Sequence, residues 1–114
     1  MTIAQLENSA IEKSSFVIRC TVRDANQALV TPTSMVWTLS DTKGRIINEK
    51  EDVPVVDPSS VEDILLYGED LALEQRNNRM RIFTMLATWS GSYGESIPVR
   101  KAVRFEIKDL LKVS

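Results

Sequence analysis

Three acidic runs, EKED at 49 to 52, VED at 61 to 63 and GED at 68 to 70, are the first residues of this sequence that could do chemistry. Clustered carboxylates hold calcium when oxygen ligands recur at alternate positions of one loop around a sharp turn. None of the three runs has that spacing, so they read as solvated loops and no metal ligand is assigned. The stretch WSGSYG at 89 to 94 has the small residues of a phosphate-cradling loop. It stands between two strand-like runs instead of opening a helix, and therefore reads as a hairpin turn. Cys20 is the single thiol; it has no internal partner for a disulfide and shares the apolar phase of its strand, which makes it a small core residue. The sequence contains no histidine, which removes the commonest general base and metal ligand. It also contains no Cys-x-x-Cys pair, no Gly-x-Ser-x-Gly elbow and no phosphate-binding loop of the Gly-x4-Gly-Lys type. The residue types thus imply no catalytic set and no cofactor, and the chain is expected not to be an enzyme.

The elements that would position any site follow from length and pattern. With 114 residues, 43% hydrophobic and 26% charged, the chain is expected to fold as one domain around one core without a metal or disulfide. No apolar run approaches the roughly 18 residues that span a bilayer, so no membrane partner is expected. The opening MTIAQLENSAIEKSS has neither a basic start nor an apolar block, which points to synthesis in a cytoplasm. The formal net charge of −2 conceals an uneven distribution: residues 1 to 74 hold 6 Lys/Arg against 13 Asp/Glu, and residues 75 to 114 hold 8 against 3. The basic residues are scattered and fall in no RNA-reading or helix-turn-helix pattern, so nucleic acid is not expected as a partner. Opposite charge on the two parts of the chain instead suits contact between copies.

FVIRCTVRD, residues 16 to 24, alternates Phe16, Ile18, Cys20 and Val22 against Val17, Arg19, Thr21 and Arg23, as a strand with one buried face does. In MVWTLSD the residues Met35, Trp37 and Leu39 share a face, so Trp37 points inward. SDTKG supplies turn formers, and RIINEK is expected to return as a short strand. The prolines of EDVPVVDPSS mark an edge segment or a crossing between sheets. In residues 60 to 73 the positions Val61 and Leu65 fit one phase while Ile64 and Leu66 fit the other; a bulge, or cover on both sides, would each account for it. GEDLAL suits one helical turn. MRIFTMLATWS at 80 to 90 is a long strand, and IPVRKAVRFEIKDL closes the chain with Val103, Phe105 and Ile107 alternating against Arg104, Glu106 and Lys108. About seven strands with a tryptophan in the third predict an all-β, immunoglobulin-like antiparallel β-sandwich over 13–114, preceded by an N-terminal arm or first edge strand at 1–12. Its core should join Trp37 with Phe16, Ile18, Cys20, Val22, Leu39, Phe105 and Ile107.

Strand 80 to 90 is apolar on both faces, and a sandwich strand needs only one buried face. The candidate protein-interaction site is therefore the outward patch of Ile82 and Leu86, extended by Val36 and Ala102 and rimmed by Arg81 and Arg104. Another chain or the N-terminal arm, with Ile3, Leu6 and Ile11, is expected to cover it.

The segments ENSAIEKSSFVIRCTVRD, LVTPTSMVWTLSDTKGRIIN, SSVEDILLYGEDLAL and RKAVRFEIKDL together resemble small immunoglobulin-like structural proteins of tailed bacteriophages and prophages. The most specific part is VTPTS followed by VWTLSD and a glycine turn. The resemblance implies a virion structural protein without catalysis, such as a capsid decoration or cement subunit or a head-to-tail or tail junction component. Its partners would be capsid, portal or tail subunits and copies of itself, and its location the virion after synthesis in the host cytoplasm. An alternative from another class is a carbohydrate- or receptor-binding immunoglobulin-like module of a phage tail or cell surface, with Tyr67 and Tyr93 as its loop aromatics.

Overall fold

The computed structural model describes residues 4–5, 9–24, 26–73, 78–91 and 94–108. Eight strands and one 3-10 turn are described: β1 (Ala4–Gln5), β2 (Ala10–Ile11), β3 (Ser15–Thr21), β4 (Ser34–Asp41), β5 (Val53–Pro54), β6 (Val61–Tyr67), the 3-10 turn Gly68–Leu71, β7 (Met80–Gly91) and β8 (Gly94–Lys108). The expected all-β sandwich is present. One layer is a two-stranded antiparallel sheet of β3 and β6; the other runs β1-β8-β7-β4-β5, with β2 also on β8. The β3–β6 pair facing the consecutive strands β4, β7 and β8 matches the B–E and C-F-G groupings of an immunoglobulin-like sandwich, whereas β1, β2 and β5 join the larger sheet.

Alternation explains which side chains enter the core. On β4, Met35, Trp37, Leu39 and Asp41 are buried, and on β7 Arg81, Phe83, Met85, Ala87 and Trp89 are buried. Ile18 and Cys20 of β3, Ile64 and Leu66 of β6, and Phe105 and Ile107 of β8 meet Met35, Trp37, Leu39, Phe83, Met85 and Ala87 in one cluster. Phe16 packs against that cluster and stacks on Phe105 with ring centroids 5.0 Å apart, joining the two layers. Trp37 stacks on Phe83 at 5.5 Å within the large sheet and retains 7% exposure. The predicted core set is thus one core between two sheets.

Two expectations change. The sheet is not purely antiparallel, because β1 and β2 run parallel to β8, with Ala4 beside Val103 and Ala10 beside Ile107. The N-terminal segment is therefore an edge of the large sheet where it is described, and Ala10 is buried. Ile3 and Leu6 lie outside the described residues, as do Tyr93 and residues 74 to 77. The strand expected in RIINEK is reduced to a single bridge between Ser40 and Ile46. Asn48 and Glu49 adopt φ of 51° and 58°, left-handed values that no strand can continue through, and the pairing partner of β4 becomes Val53–Pro54 instead.

The ambiguous segment 60 to 67 resolves without a bulge. β6 pairs with β3 in continuous register from Val61 against Thr21 to Tyr67 against Ser15. Ile64 and Leu66 face the core, and Leu65 remains about half exposed, at 51%. The 3-10 turn that follows carries the chain back to the large sheet and buries Leu71 completely.

Candidate functional site

β4, β7 and β8 present the outward face of the large sheet, and their register sets its rows. Val36 lies directly opposite Leu86, and Leu86 opposite Arg100; Pro54 of β5 continues that row beyond Val36. Ser40, Ile82 and Arg104 form a second row, and Thr38, Thr84 and Ala102 the one between them. The structure therefore brings four of the five expected contact residues, Val36, Ile82, Leu86 and Arg104, onto one face.

Val36, Ile82 and Leu86 are half-buried, with Arg104 exposed beside them. Long arginine side chains opposite aliphatic ones can lay their methylene stems over the neighbour while the guanidinium stays in water. Such cover reduces the drive to bind below that of two bare aliphatic side chains.

Arg81 does not belong to this face. Its position in β7 has the phase of Phe83, not of Ile82, and it is 2% exposed. The guanidinium donates to the carbonyls of Asn78 at 2.8 Å, Met80 at 3.0 Å and Ala72 at 3.3 Å. Arginine carries five donors in a planar fork and can satisfy several carbonyls at the place where a core runs out of apolar neighbours. The period of two already places Arg81 inward, so alternation was the signal that the expected rim overlooked.

Around Arg81 lies a polar end to the sandwich. Asp41, at the end of β4, accepts from the amides of Lys43 at 2.9 Å and Arg45 at 3.0 Å and from the Arg45 guanidinium at 2.9 Å. Asn78 adds a contact at 3.3 Å. Burial opposes ionisation of Asp41, but these donors more than offset it and hold the carboxyl well below the usual carboxylate range. Asp70 accepts from Asn48 at 2.8 Å and from the Tyr67 amide at 3.2 Å, tying the 3-10 turn to the loop after β4. A cleft of about 260 Å³ opens here, lined by Asp41, Arg45, Asn48, Glu69 and Asn78 among others. Asp41, Asn48 and Arg81 each hydrogen-bond to internal partners, so the cluster fixes loops.

A smaller cleft of about 180 Å³ lies between β3 and β8, lined by Ile18, Cys20, Met85, Lys101 and Val103. Lys101 Nζ crosses it to donate to the Thr21 carbonyl at 2.9 Å. Burial pushes the Cys20 thiol up to about 11, against the opposing pull of Lys101, so it stays protonated and unreactive near neutral pH.

Among the strands, the most exposed large apolar side chains lie on the other sheet, outside the expected interaction patch. Val17, Leu65 and Tyr67 are 55%, 51% and 63% exposed on the outward face of β3 and β6. The unexplained second phase at Val61 and Leu65 was the sequence signal for this face.

Among the described residues, no group of three or more His, Cys, Asp or Glu is placed to hold a metal ion, and no helix is long and apolar enough to cross a membrane. Comparison of the chain with protein-family models, with curated proteins and with solved structures finds no match.

Proposed function

We propose that this chain is a structural protein of a bacteriophage particle, which acts without catalysis through protein-protein contacts in the virion. The observation that carries the reading is the assembled outward face of the large sheet, where Val36 and Leu86 sit opposite one another and Ile82 sits opposite Arg104 two rows away, beyond Thr84 and Ala102. An aliphatic centre with arginines at its margin is the composition of a protein contact surface. The likeness of VTPTS, VWTLSD and RKAVRFEIKDL to small phage sandwich proteins supplies the setting. On this reading the partners are capsid, portal or tail subunits and further copies of the chain, brought together after synthesis in the host cytoplasm.

Incorporation into particles tests the proposal. The double substitution Ile82→Asp and Leu86→Asp should leave the domain folded, because both side chains point away from the core, and should remove it from purified particles. A folded double variant that still enters particles would show that this face has no partner. Absence of the parent chain from purified particles of the phage or prophage that encodes it would remove the reading altogether.

A further inference from the structure

We propose that the outward face of the β3–β6 sheet is a self-association surface, on which a second copy of this chain packs face to face about a two-fold axis parallel to the strands. This surface is distinct from the outward face of the large sheet, and its role holds or fails independently of the function proposed above.

Two ways of using a two-stranded sheet are open to a partner: adding a strand to an edge, or covering the face. The edges are blunted. The bonds from Val22 N to the Ser60 carbonyl and from Gly68 N to the Ser14 carbonyl fix which backbone groups face the partner strand. By alternation, the groups of the odd-numbered residues, Ser15 to Thr21 on β3 and Val61 to Tyr67 on β6, point to the open edges. Toward the ends of the strands three of these residues have a group taken by an internal bond: Lys101 Nζ donates to the Thr21 carbonyl, Ser59 Oγ to the Val61 carbonyl at 2.6 Å, and the Tyr67 amide to Asp70. The middle of each strand carries a charge, Arg19 on one and Asp63 on the other, which discourages strand addition.

The face is open and self-complementary. Val17 pairs with Leu65 across the two strands, and the next row outward is the ion pair of Arg19 with Asp63, Nε to Oδ1 at 2.8 Å. A two-fold axis parallel to the strands lays β3 over the partner's β6 while keeping every row at its own level. Arg19 then meets the partner's Asp63, and Asp63 meets the partner's Arg19. Val17 meets the partner's Leu65 in the adjoining row, and Ser15 offers the phenol of the partner's Tyr67 a hydroxyl. Each row is matched twice because the contact is isologous. The arrangement is the aligned packing of two sheets, with strand directions within about 30° and a spacing of about 10 Å.

The size of the face sets the strength. Two seven-residue strands offer roughly 23 Å by 12 Å, or about 300 Å² per copy, well under the roughly 800 Å² per partner of a standard stable interface. The dimer is therefore weak in dilute solution and becomes populated where copies are held close together.

Sedimentation equilibrium of the full chain from about 10 μM to about 1 mM at low salt should show a monomer–dimer equilibrium that weakens in high salt. Leu65→Asp should weaken it by at least about tenfold, with thermal melting confirming that the variant folds. If that variant does not fold, Val17→Thr, which keeps a β-branched strand former, decides the same point. The discriminating arm mixes Arg19→Asp with Asp63→Arg. Each variant alone should be monomeric because its face carries one sign of charge, and the equimolar mixture should recover a heterodimer. The ion pair within one chain cannot produce that recovery. A chain that remains monomeric at 1 mM overturns the proposal and leaves the face to a partner of other sequence or to the chain's own termini. A dimer indifferent to Leu65→Asp and Val17→Thr, or a mixture that fails to associate, overturns it as well.

Discussion

Three side chains carry most of what can be tested at the residue scale. Trp37 fills the space between the sheets and stacks on Phe83, so Trp37→Ala should destabilise the domain by about 3 to 5 kcal/mol, read as a fall in the chemical-denaturation midpoint. Cys20 is 6% exposed with its thiol pushed up to about 11, so alkylation at pH 8 should be slow in the native chain and rapid once denaturant is added. Equal rates in both states would place the thiol at the surface. Asp41 binds its proton less tightly folded than unfolded, because four donors converge on its carboxylate. A depressed folded value means that the stabilisation is present above the ordinary carboxylate range near pH 4 and is lost as the pH falls below it. Asp63, held low by its bond to Arg19, contributes in the same direction. The melting temperature should therefore fall on acidification below about pH 4, and Asp41→Asn should lower the neutral melting temperature while flattening that acid limb.

The hairpin of β7 and β8 is the element on which the large sheet is built. It stays in register from Met80 against Glu106 to Trp89 against Ile97, then shifts between Trp89 and Gly91. A Cβ built on Gly91 would lie 2.5 Å from the Trp89 ring, so the glycine lets the indole turn back over the strand end and stay buried. Gly91→Ala should lower the melting temperature and raise tryptophan exposure to a collisional quencher, whereas Gly44→Ala, with no neighbour near its Cβ, should act only through its left-handed φ of 85°. The loop after β4 shows the same competition between residue type and geometry. RIINEK has the composition of a strand, yet two left-handed residues and the bonds of Asp41 and Asp70 fold it into turns.

At the scale of the whole molecule, the N-terminal segment closes one edge of the large sheet. Glu12 N donates to the Lys108 carbonyl at 3.0 Å, and Ala10 is buried against the core. Deleting residues 1 to 11 should remove that cover, speed amide exchange along β8 between Val103 and Lys108, and raise the tendency to associate through the freed edge. Unchanged exchange in β8 would show that the parallel pairing is not maintained in solution. The two outward faces also differ in kind at this scale. Both pair aliphatic residues across strands, Val36 with Leu86 and Val17 with Leu65, but the large sheet also sets arginines opposite Ile82 and Leu86, whereas Val17 and Leu65 are left about half in water.

The sequence by itself determined the class of fold and most of the core. A period of two in FVIRCTVRD, MVWTLSD and VRFEI assigns Phe16, Ile18, Cys20, Trp37, Leu39 and Phe105 to one side of their strands, because successive side chains on a pleated strand point to opposite faces. The same local rule assigns Ile82 and Leu86 outward, and applied strictly it assigns Arg81 inward. Alternation can say which side a residue takes but not what stands there. Only the tertiary structure decided that β6 pairs with β3, which turned the second phase of Val61 and Leu65 into an exposed face. It also decided that the N-terminal segment runs parallel to β8, a pairing between residues about a hundred positions apart that no local pattern encodes. The carbonyls that hold the Arg81 guanidinium come from the chain that leads into β7 and from the end of the 3-10 turn, so that pocket exists only once the two sheets have packed.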